Sequence, residues 1–223
     1  LIAKLLARPG TIYVLVRKAS KDKFDALLAQ LHADPKRVVA VYGDLAKPKL
    51  GVSAAQLKQL AGKVKHLFHL AAIYDLTADE ESQIRANVDG TKHAMQLGVA
   101  VKAGCFHHVS SIAAAGLYPG VFKEDMFDEA EGLDDPYFRT KHDSEGMVRR
   151  EYPRPYRIYR PAIVLGHSQT GEIDKIDGPY YFFRLIKRMR ALLPQWVPTI
   201  GIEGSRLNMV PVDYVADAMD WIA

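Results

Sequence analysis

Short, largely apolar runs alternate with helix-patterned stretches along the first 166 residues of this chain. Thr11–Val16 (TIYVLV), Arg37–Tyr42 (RVVAVY), Val64–Leu70 (VKHLFHL), Cys105–Val109 and Tyr156–Tyr159 read as strands, rich in β-branched and aromatic side chains. Between them, Lys21–His32 carries Phe24, Leu27, Leu28 and Leu31 on one helical face. Ser53–Ala61 opens with a Ser cap, and Asp79–Val101 and Pro136–Arg150 are longer helical stretches. A strand buried on both faces loses its polar alternation, and parallel neighbours need a helical crossover between them. The pattern therefore predicts an α/β fold: a Rossmann-like, doubly wound parallel sheet. Leu1–Arg8 reads as the end of a helix stopped by Pro9-Gly10.

Beyond Gly166 the regularity breaks. Gly171, Gly178, Pro179, Pro194, Pro198, Gly201 and Gly204 punctuate a segment rich in Tyr, Phe and Trp. The expected organisation is a dinucleotide-binding Rossmann-like domain over residues 1–166, a small substrate-binding lobe over 167–209, and a helix over 210–223 returning to the first domain. With 223 residues, 48% of them hydrophobic, the chain can bury one sizeable core, or one domain and part of another. No run reaches the roughly 18 apolar residues that a membrane span needs, and Leu1–Arg8 lacks the marks of a signal peptide. The lone Cys105 precludes an internal disulfide and suits a reducing, cytoplasmic setting. The net charge of +4 is scattered except at Lys18–Lys23 and Arg184–Arg190. The second run falls in a predicted amphipathic helix. It reads as a solvated face near an anionic ligand or lipid headgroup, a peripheral membrane contact, rather than a nucleic-acid surface.

Asp135-Pro136-Tyr137-Phe138-Arg139-Thr140-Lys141 contains Tyr-x-x-x-Lys at the start of a helix. That spacing puts both side chains on one face. A phenol titrates near ~10 unperturbed, and a neighbouring ammonium lowers it, so that it can exchange a proton with a carbonyl oxygen. Upstream, the strand Cys105–Val109 runs into Ser110-Ser111, and ligands of open α/β sheets bind at such strand ends. A serine there can hydrogen-bond a substrate oxygen. The strand Thr11–Val16 ends in Arg17-Lys18, where an NAD-preferring sheet carries an acid; two cations there favour a 2′-phosphate, hence NADPH. The glycine-rich turn that seats a pyrophosphate, G-x-G-x-x-G or a variant, is absent from the chain, so the first strand and its glycine loop are expected upstream of Leu1.

Together these residues resemble the extended short-chain dehydrogenases/reductases. Ser110-Ser111-x-x-x-x-Gly116 followed by Tyr137-x-x-x-Lys141 carries the resemblance, which implies Ser111, Tyr137 and Lys141 as the catalytic group, with Ser110 the fallback serine. Other pieces resemble the family in the same order along the chain. Gly43-Asp44-Leu45 implies Asp44 and Leu45 beside the adenine. His69-Leu70-Ala71-Ala72 implies Ala71 and Ala72 beside the riboses. Asn87-x-x-Gly90-Thr91 resembles the family's Asn-x-x-Gly-Thr helix motif and adds Asn87 to the cofactor site. Arg160-Pro161-Ala162-Ile163 implies Pro161, Ala162 and Ile163 beside the nicotinamide, and Val210–Ala216 resembles a late helix-starting motif. HLAAIYD and Gly178-Pro179-Tyr180-Tyr181-Phe182-Phe183 are similar to the thioester-reductase branch, which includes fatty acyl-CoA reductases and the reductase domains of carboxylic acid reductases and peptide synthetases. The resemblance implies an NADPH-dependent reductase of an acyl thioester, with Ser111, Tyr74, Tyr180 and Phe183 towards the substrate. Arg184, Lys187 and Arg188 could attract coenzyme A or phosphopantetheine phosphates.

Two other readings remain open on the sequence. A sugar-nucleotide epimerase or dehydratase, or a hydroxysteroid-type dehydrogenase, would use the same fold and residues. A non-catalytic dinucleotide sensor would keep the sheet without the chemistry. No Cys/His/Asp spacing supports a metal site, Cys105 reads as a buried small apolar residue, and Glu124–Glu131 reads as a solvated loop. Asp143 and Glu145 are expected to pair with nearby basic groups.

Overall fold

The chain begins with a four-residue helix, α1 (Ile2–Leu5), and the strand β1 (Ile12–Val16) follows Gly10. In this computed structural model the described residues are 1–70, 80–173, 180–192 and 207–223, and over 180–192 the described side chains are 180, 183 and 187–192. Next come α2 (Lys21–Gln30), β2 (Val38–Tyr42), α3 (Ala54–Leu60) and β3 (His66–His69). A helical stretch then runs from α4 (Glu80–Gln83) through a π-turn (Ile84–Asp89) into α5 (Gly90–Ala100). It leads to β4 (Cys105–Val109), α6 (Pro136–Glu151) and β5 (Tyr156–Tyr159). Strand pairing is parallel throughout: β1 with β2, and β4 with β3 on one side and β5 on the other. The α/β fold with parallel sheets read from the alternation is the fold observed.

The two faces of β2 show the double winding. Val38, Ala40 and Tyr42 pack with Val16 of β1, Phe24 of α2 and Ile2 of α1. Val41 points the other way, into a core with Leu60 of α3, Ala94 and Met95 of α5, Phe106 of β4, and Val148 and Tyr152 from α6 and its end. Full burial of a side chain such as Phe106 stabilises the fold by about 1.5–3 kcal/mol.

The sequence reading needs two local corrections. Thr11–Val16 is not buried on both faces: Ile12, Val14 and Val16 turn inward while Tyr13 and Leu15 stay exposed. Among the described residues helices cover only one side of β1, so its apolar run is half used. The Asp79–Val101 helix is not continuous α-helix either, because the π-turn interrupts it.

The chain divides into two compact units, Leu1–Pro161 with Asp217–Ala223, and Ala162–Ala216. Within the first, Lys4 pairs with Asp217 and Arg8 with Asp220, so the end of α8 (Val212–Ile222) packs by charge onto α1 and the turn after it. Within the second, β6 (Ile163–Leu165) pairs in parallel with β7 (Met209–Pro211), a strand too short to be read from sequence. The helix α7 (Tyr180–Leu192) belongs to this unit. There the amide of Gly166 donates to the Tyr180 hydroxyl at 2.7 Å, and Ser168 donates twice to Asp213. Among the described residues no helix is long and apolar enough to cross a membrane.

Candidate active site

Helix α6 starts where its sequence says it should. Asp135 caps it, accepting from the amides of Tyr137 (2.8 Å) and Phe138 (3.3 Å), and Pro136 takes the first-turn position where no amide is needed. With the start fixed, Tyr137 and Lys141 share one face, and both are buried. Lys141 is 3% exposed, and its ammonium donates to the Val109 carbonyl at 3.1 Å, at the carboxyl end of β4. Burial pushes its pKa down to about 8, against the pull of Glu145, which favours the charged form.

The serines continue β4. Ser110 is buried and its amide donates to Tyr159 at 2.8 Å; the amide of Ile112 donates to Pro161 at 3.1 Å. Ser111, between these two rungs, caps a 3-10 turn (Ile112–Ala115), its Oγ accepting from the Ala113 amide at 3.1 Å. This turn packs against α6. Gly116 ends it at φ 63°, where a Cβ would strike the Glu131 carbonyl. The glycine of the Ser-Ser-x-x-x-x-Gly stretch is thus needed for its backbone, and it closes the 117–131 loop at its base through Leu117 N to Glu131 O, 2.6 Å.

A second chain of hydrogen bonds reaches α6 from β3. The Thr91 hydroxyl donates to the Asn87 carbonyl at 2.6 Å, so its single proton is spent and His69 Nε2 must be the donor in their 3.1 Å contact. Asn87 Nδ2 donates to Thr140 Oγ1 at 3.1 Å, and Thr140 donates to the Tyr137 carbonyl at 3.2 Å. The π-turn that brings Asn87 here lies beside the candidate chemistry, a frequent location for such turns. Burial, then the nearby Lys141 charge, lowers the His69 pKa to about 4. Burial first, then His69 and Lys141, take His108 well below its ordinary value. Both imidazoles are neutral at pH 7, which leaves Lys141 as the cation among them.

The remaining expected residues are placed as follows. Arg17 and Lys18 are exposed where β1 ends, Arg17 capping a short 3-10 turn. Asp44 is half-buried and its Oδ1 accepts from the Ala46 amide at 3.0 Å. The Leu45 carbonyl accepts from His93 Nδ1 at 2.9 Å, and its side chain lies against Gly90, so close that a Cβ there would sit 2.9 Å from Leu45 Cγ. The Pro161 carbonyl holds the Ile112 amide in the first unit. In the second unit, Ala162 is half-buried, the Ile163 amide donates to Asn208 at 3.2 Å, and Tyr180 packs edge-on to the exposed Phe183 at 5.5 Å. Ala71, Ala72 and Tyr74 lie outside the described residues. The structure therefore brings Lys141 to the end of β4, which Ser110 and Ser111 continue, and ties Asn87 to the Tyr137 turn of α6 through Thr140.

A nicotinamide dinucleotide fits this donor set. Of the three N–H groups of an ammonium, Lys141 uses one on a described acceptor, which leaves donors for ribose hydroxyls. Sequence reasoning named Thr91 within the Asn-x-x-Gly-Thr stretch without giving it a role, and missed the part of Thr140 and the anchoring of the 123–127 segment. The charges of Glu124–Glu131 suggest a solvated loop, yet Phe127 is buried and stacks on His142 of α6 at 4.2 Å. Cys105, expected to be buried, is half-buried, its thiol pKa raised by that burial. Among the described residues no His/Cys/Asp/Glu group could hold a metal ion.

Residues 1–219 match the NAD-binding family described as male sterility protein. A linear gramicidin synthase polypeptide of Brevibacillus parabrevis is 31% identical over 220 residues, which is 92% of this chain and 4% of that protein. The large subunit of L-2-aminoadipate reductase of Penicillium chrysogenum is 31% identical over 199 residues, 81% of this chain and 13% of that protein. The chain thus spans a small part of the length of these relatives. The crystal structure of the terminal R domain from the myxalamid PKS-NRPS biosynthetic pathway superposes with a TM-score of 0.77 at 27% identity, over 98% of this chain and 57% of that one.

Proposed function

Since the chain belongs to the male sterility protein family, in the thioester-reductase branch of the extended short-chain dehydrogenases/reductases, we propose that it reduces a fatty acyl thioester to an aldehyde or alcohol. Membership makes it an NAD(P)-dependent oxidoreductase. In this reading the acyl group rides on coenzyme A or a carrier protein in the cytoplasm, NADPH is the cofactor, and Ser111, Tyr137 and Lys141 are the catalytic group. The observation that carries it is the buried Lys141, whose ammonium is held on the Val109 carbonyl at the end of β4, two residues before Ser111 in the chain, and which shares the Tyr137 face of α6. The reductase names of the relatives agree with it.

The reduced cofactor, when bound, supplies the hydride to the carbonyl carbon. Ser111 accepts from Ala113 through its lone pair, so its own proton is available to the substrate oxygen. Tyr137 gives that oxygen its proton, and the Lys141 charge stabilises the phenolate left behind. The resulting hemithioacetal loses its thiol, the sulfur taking the hydroxyl proton, and an aldehyde remains. Arg17 and Lys18 would hold the 2′-phosphate of NADPH. Tyr180 and Phe183 would be towards the acyl chain, and the cations of α7 would meet phosphopantetheine phosphates or lipid headgroups.

The test is NADPH against NADH oxidation by the full-length protein with a long-chain acyl-CoA. The expectation is NADPH-selective turnover that falls by about 10²–10⁴-fold in Tyr137→Phe, the usual worth of a positioned proton donor. Full activity of Tyr137→Phe on every thioester and aldehyde offered would sink the catalytic assignment.

A further inference from the structure

Tyr137, Lys141, Glu145 and Arg149 follow one another at i, i+4 along a single face of α6. Glu145 is fully buried, which a carboxylate tolerates only when fully paired. Arg160, at the end of β5, donates Nε to both its oxygens at 3.1 Å and Nη2 to Oε1 at 2.6 Å, and Arg149 adds Nε to Oε1 at 2.8 Å. Burial alone would raise the carboxyl pKa; Arg160 leads the contacts that bring it below the ordinary value.

Arg160 does more than neutralise. Its Nη1 donates to the Lys123 carbonyl at 3.0 Å and its Nη2 to that of Met126 at 2.7 Å, while the guanidinium lies 4.9 Å over the Phe122 ring. Arg149 lies 5.0 Å over Phe127. The loop between Ser111 and Tyr137 is thereby tied to the catalytic helix. Arg160 also stands between the two rungs, Ser110 to Tyr159 and Ile112 to Pro161, that bracket Ser111. One ion pair consequently joins the Ser111 strand, the 123–126 loop and the helix of Tyr137 and Lys141.

We propose that Glu145 and Arg160 are positioning residues for the catalytic group, a latch that fixes Ser111 against Tyr137 and holds the Lys141 ammonium in place; this rests on the catalytic reading above. The charged or titratable groups facing Lys141 among the described residues are His69 from β3, His108 from β4, and Tyr137 and Glu145 from its own helix, with Arg160, just after β5, paired to Glu145. The two imidazoles are neutral at pH 7, so Glu145 is the anion that offsets the cost of burying the ammonium. Removing it lowers the Lys141 pKa further, and activity that needs the ammonium is then lost at lower pH.

The experiment uses the full-length protein in two forms. Glu145→Gln removes the charge and keeps the shape. The double variant Glu145→Leu/Arg160→Met replaces the pair by apolar groups, a change that buried ion pairs often survive without loss of stability. A shift of about one unit towards acid in the basic limb of kcat is expected for Glu145→Gln. In either variant kcat should fall by about 10- to 100-fold, as for misplaced catalytic groups, with KM within about twofold. Lys141 is titrated in parallel by NMR of its ε-methylene, which reads the ammonium whether or not the protein turns over. If the wild type reduces no carbonyl substrate, the catalytic reading falls, and the titration alone judges the latch. A double variant that melts with the wild type and keeps its kcat overturns the latch, as does an unmoved Lys141 titration in Glu145→Gln. Should Glu145→Gln fail to fold, the double variant decides.

Discussion

Helices α6 and α7 both carry tyrosine near the start and cations along the length, yet they place their cations in opposite ways. On α6 the ammonium of Lys141 and the carboxylate of Glu145 go inside. On α7, Lys187, Arg188 and Arg190 stay in solvent, as do the apolar Phe183, Met189 and Leu192, the last 82% exposed. The cations of the two helices are alike in kind, but α6 also carries acids and α7 carries none, and what decides their burial is the partners they meet. A buried charge persists only where hydrogen bonds replace its water. The Val109 carbonyl does this for Lys141, and Arg160 and Arg149 do it for Glu145.

The largest effect that would sharpen this contrast is on catalysis. Lys141→Met should cost about 10²–10⁴-fold in kcat, while Lys187→Met, a cation of the same kind in solvent, should move stability by less than about 0.5 kcal/mol. Steady-state kinetics and melting curves of the pair check it. Equal losses in both would break the distinction.

The next effect is on acid stability. His69 takes its proton near pH 6.5 when unfolded and only at about 4 when folded, because burial and then Lys141 oppose the charge. Between those values the unfolded chain binds more protons, so stability is full above 6.5 and is lost as pH falls towards 4. Urea unfolding at pH 7 and pH 5 should show that loss, and His69→Gln should reduce its slope. A slope unchanged in that variant would remove His69 from the account. The smallest effect concerns the exposed cations at the end of β1. Arg17→Glu alone should raise KM for NADPH by about tenfold, the scale of one lost charge-assisted contact, and leave NADH untouched.

The alternation of apolar runs and helices makes the sheet legible in the sequence, because a parallel strand and its crossover helix have different periods. The Tyr137 and Lys141 spacing is legible for the same reason, since four residues on a helix fix one face. What escapes the sequence depends on approach in space. Arg160 stands in a recognisable stretch, but nothing in its neighbours says that its guanidinium meets Glu145 or the 123–126 carbonyls. The acidic 124–131 segment reads as solvent-facing because its charges dominate, while the buried Phe127 in its middle does the anchoring. The continuation at 145 and 149 of the 137–141 spacing is the one available clue.

The π-turn at Ile84–Asp89 carries a consequence of phase. An extra residue in one helical turn rotates all that follows by about 100° relative to an unbroken α-helix. Thr91 faces His69, and Ala94 and Met95 face the core, only because that rotation has happened. Deleting one residue there would change composition and charge hardly at all, yet it would point the whole of α5 the wrong way. The site is held by counting as much as by chemistry, and a shortened turn would fail without any substitution of a catalytic side chain.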